Sequence, residues 1–84
     1  MLNVTLKPSD TIEQLLPHVE TAMQAGEVCR VANIDCLDLF EITALCLLVG
    51  ARHLLDAANG QEIFARPGFQ LIGVDSAGEE HALG

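Results

Sequence analysis

Acidic and hydroxyl side chains cluster just before the most apolar stretch of the chain. Asp35, Asp38 and Glu41 follow one another at three-residue intervals, and Thr43 comes two residues later. Carboxylates at this spacing can hold a divalent cation loosely, but the glycine-bearing pattern of a calcium-binding loop is missing from the sequence. We therefore interpret the three carboxylates as an acidic rim that recognises arginine side chains on another protein.

The other residues that could do chemistry are scattered along the sequence. The three histidines fall in separate segments, with no nucleophile or metal-ligand spacing that links them: His18, His53 and His81. The three cysteines lack the close pairs of zinc and redox sites, which favours small buried or half-buried packing residues: Cys29, Cys36 and Cys46. The glycines occur singly, without the pattern of a phosphate-binding loop. The sequence therefore predicts no enzyme, no metal site and no cofactor.

The charge balance restricts the partners that the chain can bind. A formal net charge of −8 over 84 residues opposes binding to nucleic acid or to anionic lipid, and favours a basic partner. The chain has three phenylalanines and neither Trp nor Tyr, so base stacking is disfavoured as well. No apolar run approaches the length of a membrane span, and no basic region followed by an apolar block opens the sequence. We expect a single cytoplasmic domain over residues 1–84, without membrane insertion.

Two periodic segments open the chain. Leu2, Val4 and Leu6 alternate with polar residues, which predicts a strand with one buried face. Apolar residues then recur at helical spacing and end at Gly26, which predicts an amphipathic helix over residues 11–25. Because Pro17 lies inside that range, either the helix kinks there or its regular part starts near the proline.

The second half of the chain predicts a buried strand followed by a long apolar helix. Residues 28–34 are rich in Val and Ile, as in a central strand, and residues 43–57 are predicted to form the main helix. The apolar stripe of that helix is wide enough to suggest an additional flank turned toward a partner. Residues 61–65 are predicted to form a strand parallel to residues 28–34, because a helical crossover joins the two. Residues 69–74 are expected to form a short helix or turn, and the tail from about residue 76 to be loose.

The junction between the buried strand and the main helix is the predicted functional region. A helix start leaves backbone N–H groups unpaired beside the positive end of the helix dipole, which suits it to acidic groups or to a partner surface. Within this junction, a purely structural interpretation makes Thr43 the N-cap of the helix. In the same interpretation, Glu41 complements the helix dipole.

The order of these elements resembles the STAS domain, the fold shared by bacterial anti-sigma-factor antagonists and the cytoplasmic ends of sulfate transporters. In that family an Asp-Ser-Ser-Gly-Leu or Asp-Thr-Ala-Gly-Leu block follows a buried strand, and Glu41-Ile42-Thr43-Ala44-Leu45 resembles this block. Residues 31–33 resemble the end of the family's strand, and residues 58–61 its helix stop. The resemblance covers about residues 28–65, while one strand of the opening hairpin is missing and the last long helix is reduced or absent after Phe69.

The resemblance implies a binding module that switches partners, with the loop before the long helix docking against a serine kinase of the anti-sigma type. In phosphorylated members the hydroxyl that receives phosphate directly follows the acidic residue, and added charge there disrupts docking. Ile42 occupies that place and cannot be phosphorylated, which leaves Thr43 as the nearby candidate phosphosite. Asp75-Ser76-Ala77-Gly78 is also similar to the motif, but no apolar helix follows it, so we interpret Ser76 as a turn or cap residue.

The sequence thus predicts an α/β fold, a small mixed β-sheet with helices packed mainly on one face, like a compact STAS domain. We expect a regulatory protein-binding module that docks through residues 38–45, with these contact residues: Asp38, Glu41, Ile42, Thr43 and Leu45. The alternative is a STAS subunit of an ABC-type lipid or anion transporter complex, which binds the ATPase constitutively and needs no phosphorylation.

Overall fold

The computed structural model describes residues 1–55 and 59–83 of the chain. Within these ranges two helices and six strands follow one another, with a short 3₁₀ turn at Ile34–Cys36. In chain order the elements are β1 (Leu2–Thr5), α1 (Ile12–Ala25), β2 (Val28–Ala32), α2 (Leu39–Ala51), β3 (His53–Leu55), β4 (Glu62–Phe64), β5 (Gln70–Val74) and β6 (Glu80–Ala82).

The main sheet has the strand order β1-β2-β5-β6. The first three strands are parallel, with Cys29 of β2 opposite Leu2 of β1 and Leu71 of β5, and β6 joins the edge antiparallel to β5. Both parallel connections step in the same direction across the sheet, so right-handed crossovers place α1 and α2 on the same face. The predicted fold class, α/β with a small mixed sheet and helices mainly on one face, is confirmed.

One apolar cluster fills the space between this face of the sheet and the helices. Alternate residues of the central strands and the inward residues of both helices share it, and each is at most 2% exposed: Leu15, Val19, Cys29, Val31, Leu45, Val49 and Leu71. The opposite face of the sheet is more polar, with Asn3 and Gln70 exposed and Arg30 paired with Glu80. The period-two pattern of the strands therefore separates a buried face from a solvated one.

Helix α1 begins at Ile12 and runs through Pro17 without interruption, which settles the boundary that the sequence left open. It ends at Gly26, whose positive φ of 66° closes the helix in the left-handed conformation that glycine adopts readily. A Cβ on Gly26 would come within 2.6 Å of the Pro67 carbonyl oxygen, so the loop packs closely on this helix end.

The elements after β2 differ from the sequence prediction. Helix α2 starts at Leu39 and ends at Ala51, rather than spanning residues 43–57. The last two residues of the predicted helix, 56 and 57, lie outside the described ranges. The strand predicted at residues 61–65 is present as β4, but it pairs antiparallel with β3 in a separate two-stranded sheet. The parallel neighbour of β2 is instead β5, which was predicted as a helix or turn, and β6 lies in the tail that was expected to be loose.

Candidate docking surface

The solvent-facing side of α2 carries no charged residue. Seven of the thirteen residues of this helix are exposed, and we call them the α2 outer face: Leu39, Phe40, Thr43, Ala44, Leu47, Gly50 and Ala51. At roughly 100° per residue they occupy one continuous side of the helix. Thr43 provides the only polar side chain, and the large residues are strongly exposed, Phe40 at 87%, Leu39 at 77% and Leu47 at 71%. Surface helices ordinarily place charged and polar residues on this side.

Two carboxylates fix the N-terminus of α2. Asp38 is the N-cap, and its side chain accepts a hydrogen bond of 2.8 Å from the Glu41 backbone N–H. The Glu41 carboxylate accepts the Asp38 N–H at 3.3 Å through Oε1 and the Ile12 N–H at 2.8 Å through Oε2. Half-buried Glu41 therefore joins the N-terminus of α2 to that of α1. Glu41 thus complements a helix start, as predicted, and it does so at both helices, because its carboxylate accepts an N–H group at the start of each.

The predicted contact residues divide between the surface and the core. Asp38 and Thr43 are exposed, Ile42 is half-buried against the core, and Leu45 is completely buried. Leu45 cannot contact a partner because its side chain is enclosed in the core, so its assignment to the docking site is wrong. The interpretation of Thr43 as N-cap is also wrong, because the helix begins four residues earlier. The Thr43 hydroxyl donates instead to the Leu39 carbonyl at 2.8 Å.

Sequence reasoning did not name the residues that dominate the exposed surface of α2, Leu39, Phe40 and Leu47, although the first two lie inside the predicted docking range 38–45. Their apolar character is visible in the sequence, but apolar residues surround α2 on all sides. The pattern therefore predicts a buried helix with a broad stripe, without indicating which leucines face the sheet and which face solvent. The start of the helix at Leu39, signalled by Asp38 and Glu41 as a capping box, is the sequence feature that could have located the outer face.

The turn between β5 and β6 holds a second polar cluster. Asp75 Oδ1 accepts the N–H groups of Ala77 at 3.0 Å and Glu79 at 2.9 Å, and Asp75 Oδ2 lies 3.2 Å from His81 Nε2. The Glu79 N–H, followed by the His81 side chain, lowers the pKa of Asp75 below its ordinary value. Ser76 lies in this turn, as predicted, and its hydroxyl donates to Asp35 at 2.7 Å. These hydrogen bonds order the turn and attach it to the acidic segment before α2.

The cysteines and His53 occupy packing positions. Cys29 is buried, and Cys36 and Cys46 are half-buried free thiols, as the sequence predicted. His53 stacks on Phe64 with ring centroids 4.8 Å apart, and its Nε2 lies 3.8 Å from Glu62 Oε1, beyond hydrogen-bond distance. In the part of the chain that the structure describes, no cavity or cleft of ligand size is present.

Comparisons with protein-family models, with curated proteins and with solved structures give no significant match. Neither described helix has the length and apolar content needed to cross a membrane.

Proposed function

We propose that this protein is a regulatory protein-binding module that docks a partner through the α2 outer face. The observation that supports the proposal is the composition of this face, seven exposed residues without a charge on a protein that carries a net charge of −8. Contiguous apolar surface on a small protein indicates a contact surface, because soluble chains otherwise keep such patches small.

Three large side chains supply the affinity in this proposal. Leu39, Phe40 and Leu47 are each more than 70% exposed in the free chain. Burying such a side chain in an interface is favourable by about 1.5–3 kcal/mol, before the cost of association is subtracted. Phe40 extends from the first turn and Leu47 lies two turns further along the same side, so both can insert into a single apolar groove of the partner.

The charges near the face favour a basic partner. Asp35 and Asp38 are exposed beside the N-terminal end of α2, and the chain has twelve acidic against four basic residues. Arginines or lysines around the partner's groove would speed encounter at low salt and set the orientation of the complex. The acidic rim inferred from the sequence thus keeps its role in the proposal, through Asp35 and Asp38 rather than through Glu41.

The class of partner is proposed from the sequence resemblance to STAS domains. A serine kinase of the anti-sigma type is the first candidate, with the chain acting as an antagonist that controls transcription by switching partners in the cytoplasm. The second candidate is the ATPase of an ABC-type transporter. Ile42 favours this second candidate, because it occupies the family's usual phosphorylation position, is half-buried and has no hydroxyl. Constitutive docking needs no phosphorylation. Thr43 remains the proposed phosphosite, at the middle of the α2 outer face.

Titration calorimetry against a purified anti-sigma-type kinase and a purified ABC ATPase from the source organism tests the proposal. We expect one of the two to bind the wild-type chain, and Leu47→Asp to weaken that binding at least about 100-fold, because a charge would enter the apolar contact. Leu55→Asp is the matched control, since Leu55 is 63% exposed but lies on β3. Thr43→Glu, which imitates a phosphate, should weaken binding as well, whereas Thr43→Val should not.

Two results would contradict the proposal. Binding that survives Leu47→Asp would place the interface elsewhere, and equal losses in Leu47→Asp and Leu55→Asp would show that the effect is not specific to α2. Circular dichroism of each variant establishes that the fold is retained before binding is compared.

A further inference from the structure

The turn between β5 and β6 brings three metal-ligating side chains together. One oxygen of Asp75, one oxygen of Glu79 and one ring nitrogen of His81 all lie within 4.8 Å of one another. Glu79 and His81 are separated by one residue, so the extended chain turns both to the same side. Glu80, between them, faces the other side and pairs with Arg30. The three ligating groups therefore converge at the edge of the main sheet.

The Asp75 carboxylate is already oriented as a ligand. Its Oδ1 accepts the N–H groups of Ala77 at 3.0 Å and Glu79 at 2.9 Å, which leaves its Oδ2 facing His81 Nε2 at 3.2 Å. Carboxylates that bind metals are themselves held by hydrogen bonds of this kind. Two ligands about 2.0–2.1 Å from a tetrahedral zinc ion stand about 3.3 Å apart, so the separation of Oδ2 and Nε2 suits two ligands of one ion.

The charges of the turn favour a cation between the side chains. Two carboxylates whose oxygens lie within 4.8 Å of each other repel, and a cation bound by both relieves the repulsion. Among the described residues no Lys or Arg pairs with Asp75 or Glu79, and His81 is the ion-pair partner of Asp75. Asp35, which accepts the Ser76 hydroxyl at 2.7 Å, adds a further negative charge beside the turn. A divalent cation would balance the two carboxylates of the cluster.

The donor atoms of the cluster select the class of metal. Calcium and magnesium prefer oxygen ligands throughout, whereas imidazole suits zinc. Zinc sites with three protein ligands keep a fourth position open to water or to another ligand. The three side chains here are half-buried or exposed, so solvent reaches the point on which they converge.

We propose that the turn between β5 and β6 binds one zinc ion through Asp75 Oδ2, a Glu79 carboxylate oxygen and His81 Nε2, with water as the fourth ligand. The sequence did not indicate this site, because only one histidine takes part and its companions are carboxylates. Bound zinc ties β6 to the end of β5, and the hydrogen bond from Ser76 to Asp35 connects the same turn to the segment before α2. The site is separate from the α2 outer face and does not depend on the proposed function.

Titration calorimetry of the full chain with zinc chloride, under reducing conditions, tests the proposal. We expect one zinc ion per chain with a Kd in the micromolar range. His81→Ala and Glu79→Gln should each weaken binding at least about tenfold. Glu80→Gln is the matched control, because this neighbouring carboxylate faces the other side of the sheet, and it should bind zinc like the wild type. Saturating zinc should raise the urea midpoint of the wild type but not that of His81→Ala.

The thiols and the other histidines are tested as competing zinc ligands. A chain with both Cys36→Ser and Cys46→Ser should bind zinc like the wild type, and so should His18→Ala, which changes an exposed histidine of α1. The chain loaded with Co²⁺ instead of zinc should show the visible bands of a tetrahedral ion without charge transfer from a thiolate.

A wild-type chain that binds no zinc up to about 1 mM would overturn the proposal. So would zinc binding that survives His81→Ala, equal losses in Glu79→Gln and Glu80→Gln, or binding that disappears with the two thiols. Leu47→Asp, which disrupts the α2 outer face, should bind zinc like the wild type. Failure of the zinc site therefore leaves the proposed function standing, and failure of the docking surface leaves the zinc site standing.

Discussion

At the scale of single residues, Glu41 has a structural role that its position in the sequence did not reveal. Local spacing identified it as a carboxylate near a helix start, which is correct. Its second hydrogen bond reaches Ile12, 29 residues away, and such a partner is set by the packing of two helices rather than by a local pattern. A residue with both carboxylate oxygens engaged inside the chain is less available to a partner than exposed Asp38 is.

We expect Glu41→Ala to lower the free energy of unfolding by about 1–2 kcal/mol, because the N–H groups of Asp38 and Ile12 lose their acceptor. Urea unfolding followed by circular dichroism measures the change. Glu41→Gln should lie between the wild type and Glu41→Ala, since its single amide oxygen can replace only one of the two carboxylate acceptors. A Glu41→Ala chain as stable as the wild type would contradict the bridging role.

Cys29 provides a second prediction at this scale. Burial raises the pKa of its thiol from 9.0 to about 11, so the thiol stays protonated and enclosed at neutral pH. In the folded protein Ellman's reagent should leave Cys29 unmodified, while half-buried Cys36 and Cys46 react. All three should react in denaturant.

The same shift predicts a fall in stability at alkaline pH. The unfolded thiol loses its proton from about pH 9, while the folded one keeps it to about pH 11, so stability decreases as pH rises through that interval. If Ellman's reagent modified Cys29 in native buffer as fast as it modifies Cys36 and Cys46, the burial of the Cys29 thiol would be contradicted.

At the scale of elements, α2 shows where a sequence pattern stops being informative. The helix, the strand before it and the amphipathic α1 were all predicted, because each has a period or a composition of its own. The orientation of α2 was not, since leucine occupies both its inner and its outer side. Leu45 is buried in the apolar core and Leu47, two residues later, faces solvent. Burial of a uniformly apolar helix is decided by the surface that it meets.

These two leucines give a matched pair of substitutions. Leu45→Ala should lower the free energy of unfolding by about 2–5 kcal/mol, because it leaves a cavity in the core. Leu47→Ala should change it by less than about 0.5 kcal/mol, because the side chain is already in water. Urea unfolding of both variants checks the orientation of α2. Equal losses would mean that α2 is rotated or packed differently.

At the scale of the whole molecule, the sequence predicted the fold class but assigned one strand to the wrong place. The prediction placed residues 61–65 beside β2, because they form the first strand pattern after the helix and a helical crossover can join two parallel strands. In the structure β5 occupies that position. The β3–β4 hairpin is inserted into that crossover, and His53-Leu54-Leu55 has no turn signal that separates it from the helix. Local sequence patterns therefore predict the strands but not which strands pair when they are distant in the sequence.

The central claim is that the α2 outer face is covered by protein when the chain is in its cell. A photo-crosslinking amino acid placed at position 47, or at position 55 as the control, tests it directly. We predict a discrete adduct from position 47, lost when Phe40→Asp is added, and no such adduct from position 55. The mass of the adduct distinguishes a second copy of this chain from another protein. The absence of an adduct at position 47, or equal adducts at both positions, would contradict the claim.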